Sequence, residues 1–270
     1  MALVEVEKVG AVRRLTLNRA ETHNALSPEL LAELQEALED GTDDTSASVF
    51  LIRGAGRSFS SGFDLGKSSA ARRHAMETDP WRGRDMLRRL TRHHEAVWQC
   101  PLPIVAAVHG NCLAGGADLA LHCDFMFVAD DARIGYPPVR NLGAAPTNLW
   151  LYRIGSQQAK KLLLTGDLIS GKEAADIGLA LQACSAADLD DVAMAFAQRM
   201  ALIDRNLLIN NKTVVNRGID LMGRMMLNRI AENEDALGHT SAASRQFGEA
   251  AAEHGLREAV RRRDAPFTSR

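Results

Sequence analysis

Two glycine-rich loops, each placed directly after an apolar run that is typical of a strand, constrain this chain more than any other feature. The first loop spans residues 56–65 and follows the run 49–52, and the second spans residues 109–120 and follows the run 104–108. Glycine lets a backbone approach a ligand closely, and the helix start in the second loop presents unpaired N–H groups. Two such donors that converge on one point stabilise a developing oxyanion. The loops therefore indicate a reaction class as well as a fold.

Composition argues against several classes of protein. The chain has a formal net charge of -2 and 46% apolar residues, as soluble globular proteins do, whereas a nucleic-acid-binding protein carries a basic face. No apolar run approaches the length of a membrane span, and residues 1–7 lead directly into a strand pattern rather than a signal peptide. The four cysteines form no C-x-x-C pair and no recognised metal-ligand spacing. Reduced thiols in a cytoplasmic protein without a metal site are therefore expected.

The apolar pattern predicts an alternating α/β part over residues 1–185 and a helical part over residues 186–270. Ser27-Pro28-Glu29 begins a helix, because the serine caps it and the proline fits its first turn, and Asp40-Gly41 is expected to end it. Residues from 67 to about 80 are expected to form a mobile polar segment. The remaining predicted elements are a hairpin at 3–17, strands at 48–52, 101–108 and 125–128, and helices from about Trp81 and at 117–123, 156–164 and 170–177.

The chain carries an ordered series of short motifs. They are Leu17-Asn18-Arg19, Asn24-Ala25-Leu26, residues 59–65, residues 110–120, Cys123-Asp124, Thr165-Gly166, Ala174-Ala175 and Gly178-Leu179. This series resembles the signatures of the crotonase superfamily, also called the enoyl-CoA hydratase/isomerase superfamily. The resemblance covers about residues 3 to 185, and the order of the motifs makes it specific although each motif alone is weak.

The resemblance implies an α/β fold of the crotonase type, a spiral of strand-strand-helix repeats whose helical C-terminal region builds homotrimers or homohexamers. It also implies an acyl-CoA thioester substrate, with CoA entering as part of the substrate and no separate cofactor. By position, the backbone N–H groups of Phe63 and Gly115 form the oxyanion hole that holds the thioester oxygen while an enolate forms. Arg19, His23 and Lys67 lie near the family's CoA-binding loops and are candidate CoA contacts.

One of the two acids that the family's hydratases use is retained. Asp118 stands where those enzymes usually carry a glutamate, and a carboxylate there can orient or deprotonate a water beside the β-carbon. An acid at this place also stabilises a helix start without any catalytic role. The second carboxylate is missing, because Pro138 stands at its position and proline has no proton to give.

Three nearby polar side chains are candidate substitutes for the missing acid. Tyr136 could donate a proton, or could serve only as a packing aromatic between its neighbours. Arg140 could hold the carboxylate of an acidic acyl group, or could be a solvated loop residue. His122 shares a helix face with Asp118, and could be its partner or an unrelated core histidine.

These features predict an acyl-CoA-processing enzyme, most simply a lyase of the enoyl-CoA hydratase type in fatty acid metabolism, with Asp118 as the only retained catalytic-position acid. Loss of the second carboxylate leaves other enolate reactions open, namely decarboxylation, C–C or thioester hydrolysis, isomerisation and dehalogenation. The alternative from another class is a catalytically weak acyl-CoA-binding paralogue, which would bind thioesters tightly without turnover.

Overall fold

The computed structural model describes residues 2–66 and 70–267, with the side chains of residues 70–73 left aside. Two sheets run through these residues, one of six strands and one of four. The six-stranded sheet contains, in spatial order, β1 (Val4–Val9), β2 (Val12–Leu17), β3 (Val49–Gly54), β5 (Ile104–Val108), β7 (Phe125–Ala129) and β10 (Gln182–Cys184). The β1–β2 hairpin is antiparallel and the remaining pairs are parallel, so the predicted hairpin at 3–17 is confirmed.

The second sheet is smaller and consists of four short strands. It contains β4 (Ser58–Ser60), β6 (Asn111–Leu113), β8 (Arg133–Gly135) and β9 (Leu168–Ser170). Each of β3, β5 and β7 is followed by the short strand of the second sheet and then by a helix. The chain therefore winds as a spiral of strand-strand-helix turns, which is the predicted crotonase-type α/β fold. The short strands β4 and β6 pair in parallel, so the two glycine loops lie side by side.

The helices cover the sheets and then continue alone to the C-terminus. The first six are α1 (Pro28–Asp43), α2 (Ala70–Thr78), α3 (Pro80–Gln99), α4 (Gly115–His122), α5 (Leu149–Thr165) and α6 (Gly171–Asp176). The helices of the C-terminal region are α7 (Leu189–Met200), α8 (Arg205–Leu221), α9 (Arg224–Gly238), α10 (Ala242–His254) and α11 (Leu256–Asp264). Leu189, Ala193 and Ala197 of α7 are buried in the core, so this helix completes the cover of the large sheet. No described helix is long and apolar enough to cross a membrane.

Several element boundaries differ from the prediction. Helix α1 continues past Gly41 to Asp43, because this glycine lies against the Phe50 ring and provides close packing rather than a stop. The described part of the expected mobile segment contains the helix α2, whose Met76 packs with Leu87 and Ala236. Such tertiary contacts stabilise a short helix that its own polar composition would not. Lys67 lies outside the described residues.

Other differences concern the region around residues 149–184. Helix α5 begins at Leu149 instead of residue 156, and Gly155, with a φ of 70°, interrupts it where the predicted helix begins. The strand β10 was not predicted, since its three residues are stabilised by pairing with β7 rather than by a long apolar run. The Ser170–Glu173 capping box at the start of α6 is present as expected.

We expect Gly116→Ala to destabilise the fold by about 1–3 kcal/mol, the usual cost of overpacking. A Cβ at this position would lie 2.7 Å from Ser60 Cβ and 2.8 Å from Ser60 O, so a backbone would have to move. Gly218→Ala is the matched control, because its Cβ would meet nothing within 4 Å in the exposed part of α8. That control should be neutral or stabilising by up to about 1 kcal/mol. Urea unfolding midpoints measure both, and equal effects would contradict the packing argument.

Candidate active site

A largely apolar cavity of about 440 Å³ lies where the two glycine loops meet α3, α9 and α11. Its walls come from elements that are far apart in sequence: both loops, the turn after β8, and the C-terminal helices. The lining includes Phe63, Asp64, Leu65, Leu113, Ala114, Tyr136, Pro137, Pro138, Met76, Leu87, Leu90, Asp235, His239, Leu256, Val260 and Arg263. A second cavity of about 630 Å³ lies between α1, α3 and α9, but its lining is charged and neither glycine loop reaches it.

The first glycine loop is fixed to the segment before α1 by a short parallel bridge between Leu26 and Phe63. The Leu26 N–H donates to the Gly62 carbonyl at 2.8 Å, and the Asp64 N–H donates to the Leu26 carbonyl at 3.0 Å. These two bonds use the Gly62 carbonyl and the Asp64 N–H, which flank residue 63. The N–H of Phe63 itself therefore points to the opposite side, away from Leu26. No described residue accepts a hydrogen bond from it. Phe63 therefore offers a spare donor beside a cavity that it also lines.

The second glycine loop provides a helix start. Helix α4 begins at Gly115, directly after Ala114, whose φ of 52° is unusual for a residue with a side chain. The first N–H groups of a helix lack an intrahelical acceptor, and no described residue accepts from the Gly115 N–H. The Gly115 carbonyl accepts a hydrogen bond from Nε2 of the buried His94 at 3.1 Å. His94 of α3 thus binds the carbonyl of Gly115, whereas the N–H of Gly115 has no acceptor among the described residues.

Glycines remove the side chains that would otherwise separate these two donors. A Cβ on Gly62 would lie 3.3 Å from the Gly115 nitrogen and 2.8 Å from Ala114 Cβ. A Cβ on Gly115 would lie 2.8 Å from the Phe63 ring. Because Phe63 directly follows Gly62 in the chain, the two amide nitrogens are close neighbours. Any larger residue at these glycines would push the loops apart.

Asp118 lies in the first turn of α4, only 1% exposed. Its Oδ1 accepts a hydrogen bond from Trp150 Nε1 at 3.1 Å, whereas its Oδ2 is buried without a partner among the described residues. Burial raises the pKa of Asp118 to about 7, and the side chains of Trp150 and then Thr147, as hydrogen-bonding groups, offset part of that rise. Asp118 is not among the cavity-lining residues. The carboxyl group therefore lies behind the cavity wall and exchanges a proton near neutral pH.

Electrostatic coupling shows that Asp118 is near the cavity. Burial raises the pKa of Tyr136 well above its ordinary value, and the next cause is the charge of Asp118. The pKa of Asp235 is likewise raised by burial and then by Asp118. Tyr136 and Asp235 both line the cavity. Asp118 therefore lies within electrostatic range of two residues that line the cavity.

The turn after β8 brings one candidate, Tyr136, to the cavity and leaves another, Arg140, outside. Tyr136 and Pro138 line it, and no described residue forms a hydrogen bond with the Tyr136 hydroxyl. Arg140 points elsewhere: it donates to the Thr165 carbonyl at 3.0 Å, pairs with Asp264 at 2.9 Å, and stacks on the Phe267 ring. The structure thus uses Arg140 to tie the turn to the C-terminal segment.

The remaining candidates have structural contacts. His122 Nδ1 lies 2.7 Å from the backbone carbonyl of Asp118 rather than from its carboxylate, and burial lowers the pKa of His122 to about 3. Arg19 donates to the Ala25 carbonyl and to Asp64 at 3.0 Å, and His23 Nδ1 lies 3.1 Å from Ser58 Oγ. Neither Arg19 nor His23 lines the cavity. Both support the loop that carries Phe63.

Sequence reasoning missed the polar groups that the C-terminal helices bring to the cavity. Asp235 of α9 and the following His239 line it, as does Arg263 of α11. No motif marks these positions, since they lie in a helical region without a recognisable signature. Among the residues that the structure describes, no cluster of three or more His, Cys, Asp or Glu side chains could hold a metal ion.

Comparison with known proteins gives one consistent family. Residues 7–270 match the family described as enoyl-CoA hydratase/isomerase. A putative enoyl-CoA hydratase of Thermus thermophilus is 36% identical over 201 residues, covering 74% of this chain and 78% of that protein. The hydroxycinnamoyl-CoA hydratase-lyase of Pseudomonas fluorescens is 30% identical over 244 residues, covering 87% of this chain and 83% of that protein.

A solved structure agrees with these relatives. The crystal structure of an enoyl-CoA hydratase from Mycobacterium smegmatis superposes on this chain with a TM-score of 0.92 at 37% sequence identity. The match covers 97% of this chain and 93% of that one. The relatives, the solved structure and the ordered motifs thus indicate the same fold and the same kind of enzyme. The chain belongs to the enoyl-CoA hydratase/isomerase family, the crotonase superfamily.

Proposed function

We propose that this family member is an enoyl-CoA hydratase that stabilises a thioester enolate with the backbone N–H groups of Phe63 and Gly115. The observation that carries the proposal is that these two unused donors are close neighbours, with Phe63 and Ala114, the residue before Gly115, lining a largely apolar cavity. Donors fixed before the reaction stabilise the charge that develops on the thioester oxygen without reorganising. The start of α4 adds the positive end of its dipole at Gly115.

The proposed chemistry uses the cavity for the acyl chain and Asp118 for the water. Leu87, Leu90 and Leu113 give the cavity walls that exclude water and accept an apolar chain. The carboxylate of Asp118 accepts a proton from the attacking water, directly or through a second water, because Asp118 lies behind the wall. Arg19, His23 and Lys67 remain proposed contacts of the CoA moiety, and the cytoplasmic location remains a prediction.

A bound thioester should report the oxyanion hole directly. We expect the C=O stretch of a ¹³C-labelled enoyl-CoA to move to lower frequency on binding, because two N–H donors polarise the carbonyl. Infrared difference spectra of the complex and of the free thioester measure the shift. An unshifted band would contradict the role of Phe63 and Gly115.

Turnover on a panel of enoyl-CoA thioesters separates the enzyme from a binding paralogue, which would bind tightly and convert none.

Asp118→Asn should lower kcat for hydration by about a hundredfold or more, the usual contribution of a positioned acid or base, and should leave thioester binding unchanged. In the wild-type enzyme, kcat/KM should rise as pH rises through about 7, because burial places the pKa of Asp118 there and the reaction needs its carboxylate. Steady-state kinetics with calorimetric binding measure both quantities. If the variant hydrates at the wild-type rate, Asp118 has no catalytic role and only stabilises the start of α4.

The same variant should change the pH dependence of stability in a defined direction. The pKa of Asp118 is raised from 3.8 to about 7 on folding, so the stability that its neutral form contributes is present below about pH 4 and lost as pH rises through 7. Asparagine does not titrate and can still accept the Trp150 hydrogen bond. The melting temperature of Asp118→Asn relative to the wild type should therefore increase between pH 4 and pH 8. A constant difference would contradict the assigned pKa.

We further propose that α8 and α9 form the interface of a homotrimer or homohexamer. Large apolar side chains around the α8–α9 turn are exposed: Leu221 by 89%, Met222 by 71% and Met226 by 67%. Such a patch on a water-soluble chain marks an interaction surface. Light scattering at micromolar concentration should give three or six times the chain mass, whereas Met226→Glu should shift the distribution toward smaller species. A wild-type monomer would overturn the proposal.

A further inference from the structure

We propose that Asp235 is the second acid–base residue of this site and supplies the proton to the α-carbon that the residue at position 138 cannot supply. The inference rests on the proposed enolate chemistry. Asp235 comes from α9, in the C-terminal region, and lines the same cavity as Phe63 and Pro138. Nothing in the sequence pattern marks this position.

The packing around Asp235 indicates that its carboxyl group faces the cavity rather than a structural partner. Its side chain is only 5% exposed, yet no described N–H or O–H donates a hydrogen bond to it. The titratable side chain paired with it among the described residues is His239, one helical turn later, whose Nε2 lies 3.7 Å from Oδ1. A buried carboxyl without hydrogen bonds is costly to maintain, so its presence needs an explanation.

Gly143 makes room for this carboxyl group. A Cβ on Gly143 would collide with Asp235 Oδ1, and a Cβ on Gly238 would lie 2.7 Å from Gly143 Cα. The loop after the Pro137–Arg140 turn therefore lies directly on α9 at the level of Asp235. Tyr136 and Pro138, from the turn before this loop, line the same cavity as Asp235, and the charge of Asp235 contributes to the raised pKa of Tyr136.

The groups around Asp235 favour its neutral form. Burial and then the charge of Asp118 raise the pKa of Asp235, while burial lowers the pKa of His239 to about 4. Tyr136 is neutral, and Arg263 of α11 is the cation that also lines the cavity. Two neighbouring carboxyl groups titrate as a pair, so Asp118 and Asp235 share protons instead of ionising together.

The proposed step balances with these two acids. Water oxygen bonds to the β-carbon and gives its proton to the Asp118 carboxylate, while the electron pair of the C=C bond moves to the thioester oxygen held by Phe63 and Gly115. The enolate then collapses and takes the proton of the Asp235 carboxyl group at the α-carbon. The proton on Asp118 returns to Asp235 through water, which leaves one water added and both acids restored.

Exchange of α-protons tests Asp235 separately from hydration. A saturated acyl-CoA in D₂O needs only the oxyanion hole and a base at the α-carbon to exchange. Exchange therefore proceeds through the ionised fraction of Asp235, and the loss of α-protons is followed by NMR over a range of pH. We expect Asp235→Asn to slow this exchange at least about a hundredfold, whereas Asp118→Asn leaves most of it. Glu234→Gln, on the exposed face of the same helix, is the matched control and should exchange at the wild-type rate.

The outcomes separate this inference from the proposed function. A wild-type protein that exchanges α-protons in a saturated thioester but hydrates no enoyl-CoA refutes the hydratase proposal and leaves the test of Asp235 intact. Exchange at the wild-type rate by Asp235→Asn overturns the inference, as does a variant that raises only KM, which would make Asp235 a binding residue. Asp235→Ala, which also removes the contact with Gly143, must lose exchange as well. Rates are referred to the folded fraction measured by circular dichroism.

Discussion

The close contact between the two glycine loops is the constraint on which the rest of the site depends. Gly62, Gly115 and Gly116 lie where a Cβ would meet backbone or ring atoms at van der Waals overlap. This contact brings an unused N–H from a loop next to an unused N–H from a helix start. The spiral of paired long and short strands supplies the geometry, because β4 and β6 run in parallel beside each other and end together. Backbone groups fixed in this way need no particular side chain at position 63.

Burial determines the chemistry of the acids around that contact. Asp118 has one carboxyl oxygen without a partner, and Asp235 receives no hydrogen bond from a described residue. In a low-dielectric region the neutral form of a carboxyl group is favoured, and a second carboxyl group nearby strengthens the effect. An unpaired buried acid reduces stability, which is a common feature of functional sites and uncommon elsewhere. Asp118 and Asp235 thus bring two buried carboxyl groups to this region from two different elements, whereas the turn after β8 carries proline at position 138.

The C-terminal helices have two roles that the sequence pattern alone does not separate. Helix α7 completes the cover of the large sheet, whereas α9 and α11 form one wall of the cavity through Leu256 and Val260 as well as Asp235. The apolar side chains around Met222 face outward at the same time. A division of the chain at residue 185 separates the part that carries the motifs from the helical part. The cavity, however, is lined by residues from both parts.

The sequence by itself determined the family, the α/β spiral, the two glycine loops and the place of Asp118, because these depend on local patterns: apolar runs, glycines at fixed offsets and a helix start. It also places proline at position 138, where the family resemblance predicts an acid. Only the tertiary structure decided that α2 is helical, that Arg140 binds the C-terminal segment, and that Asp235 and His239 reach the cavity. These depend on contacts between residues far apart in the chain, and no local pattern records which face of α9 meets the loop at Gly143.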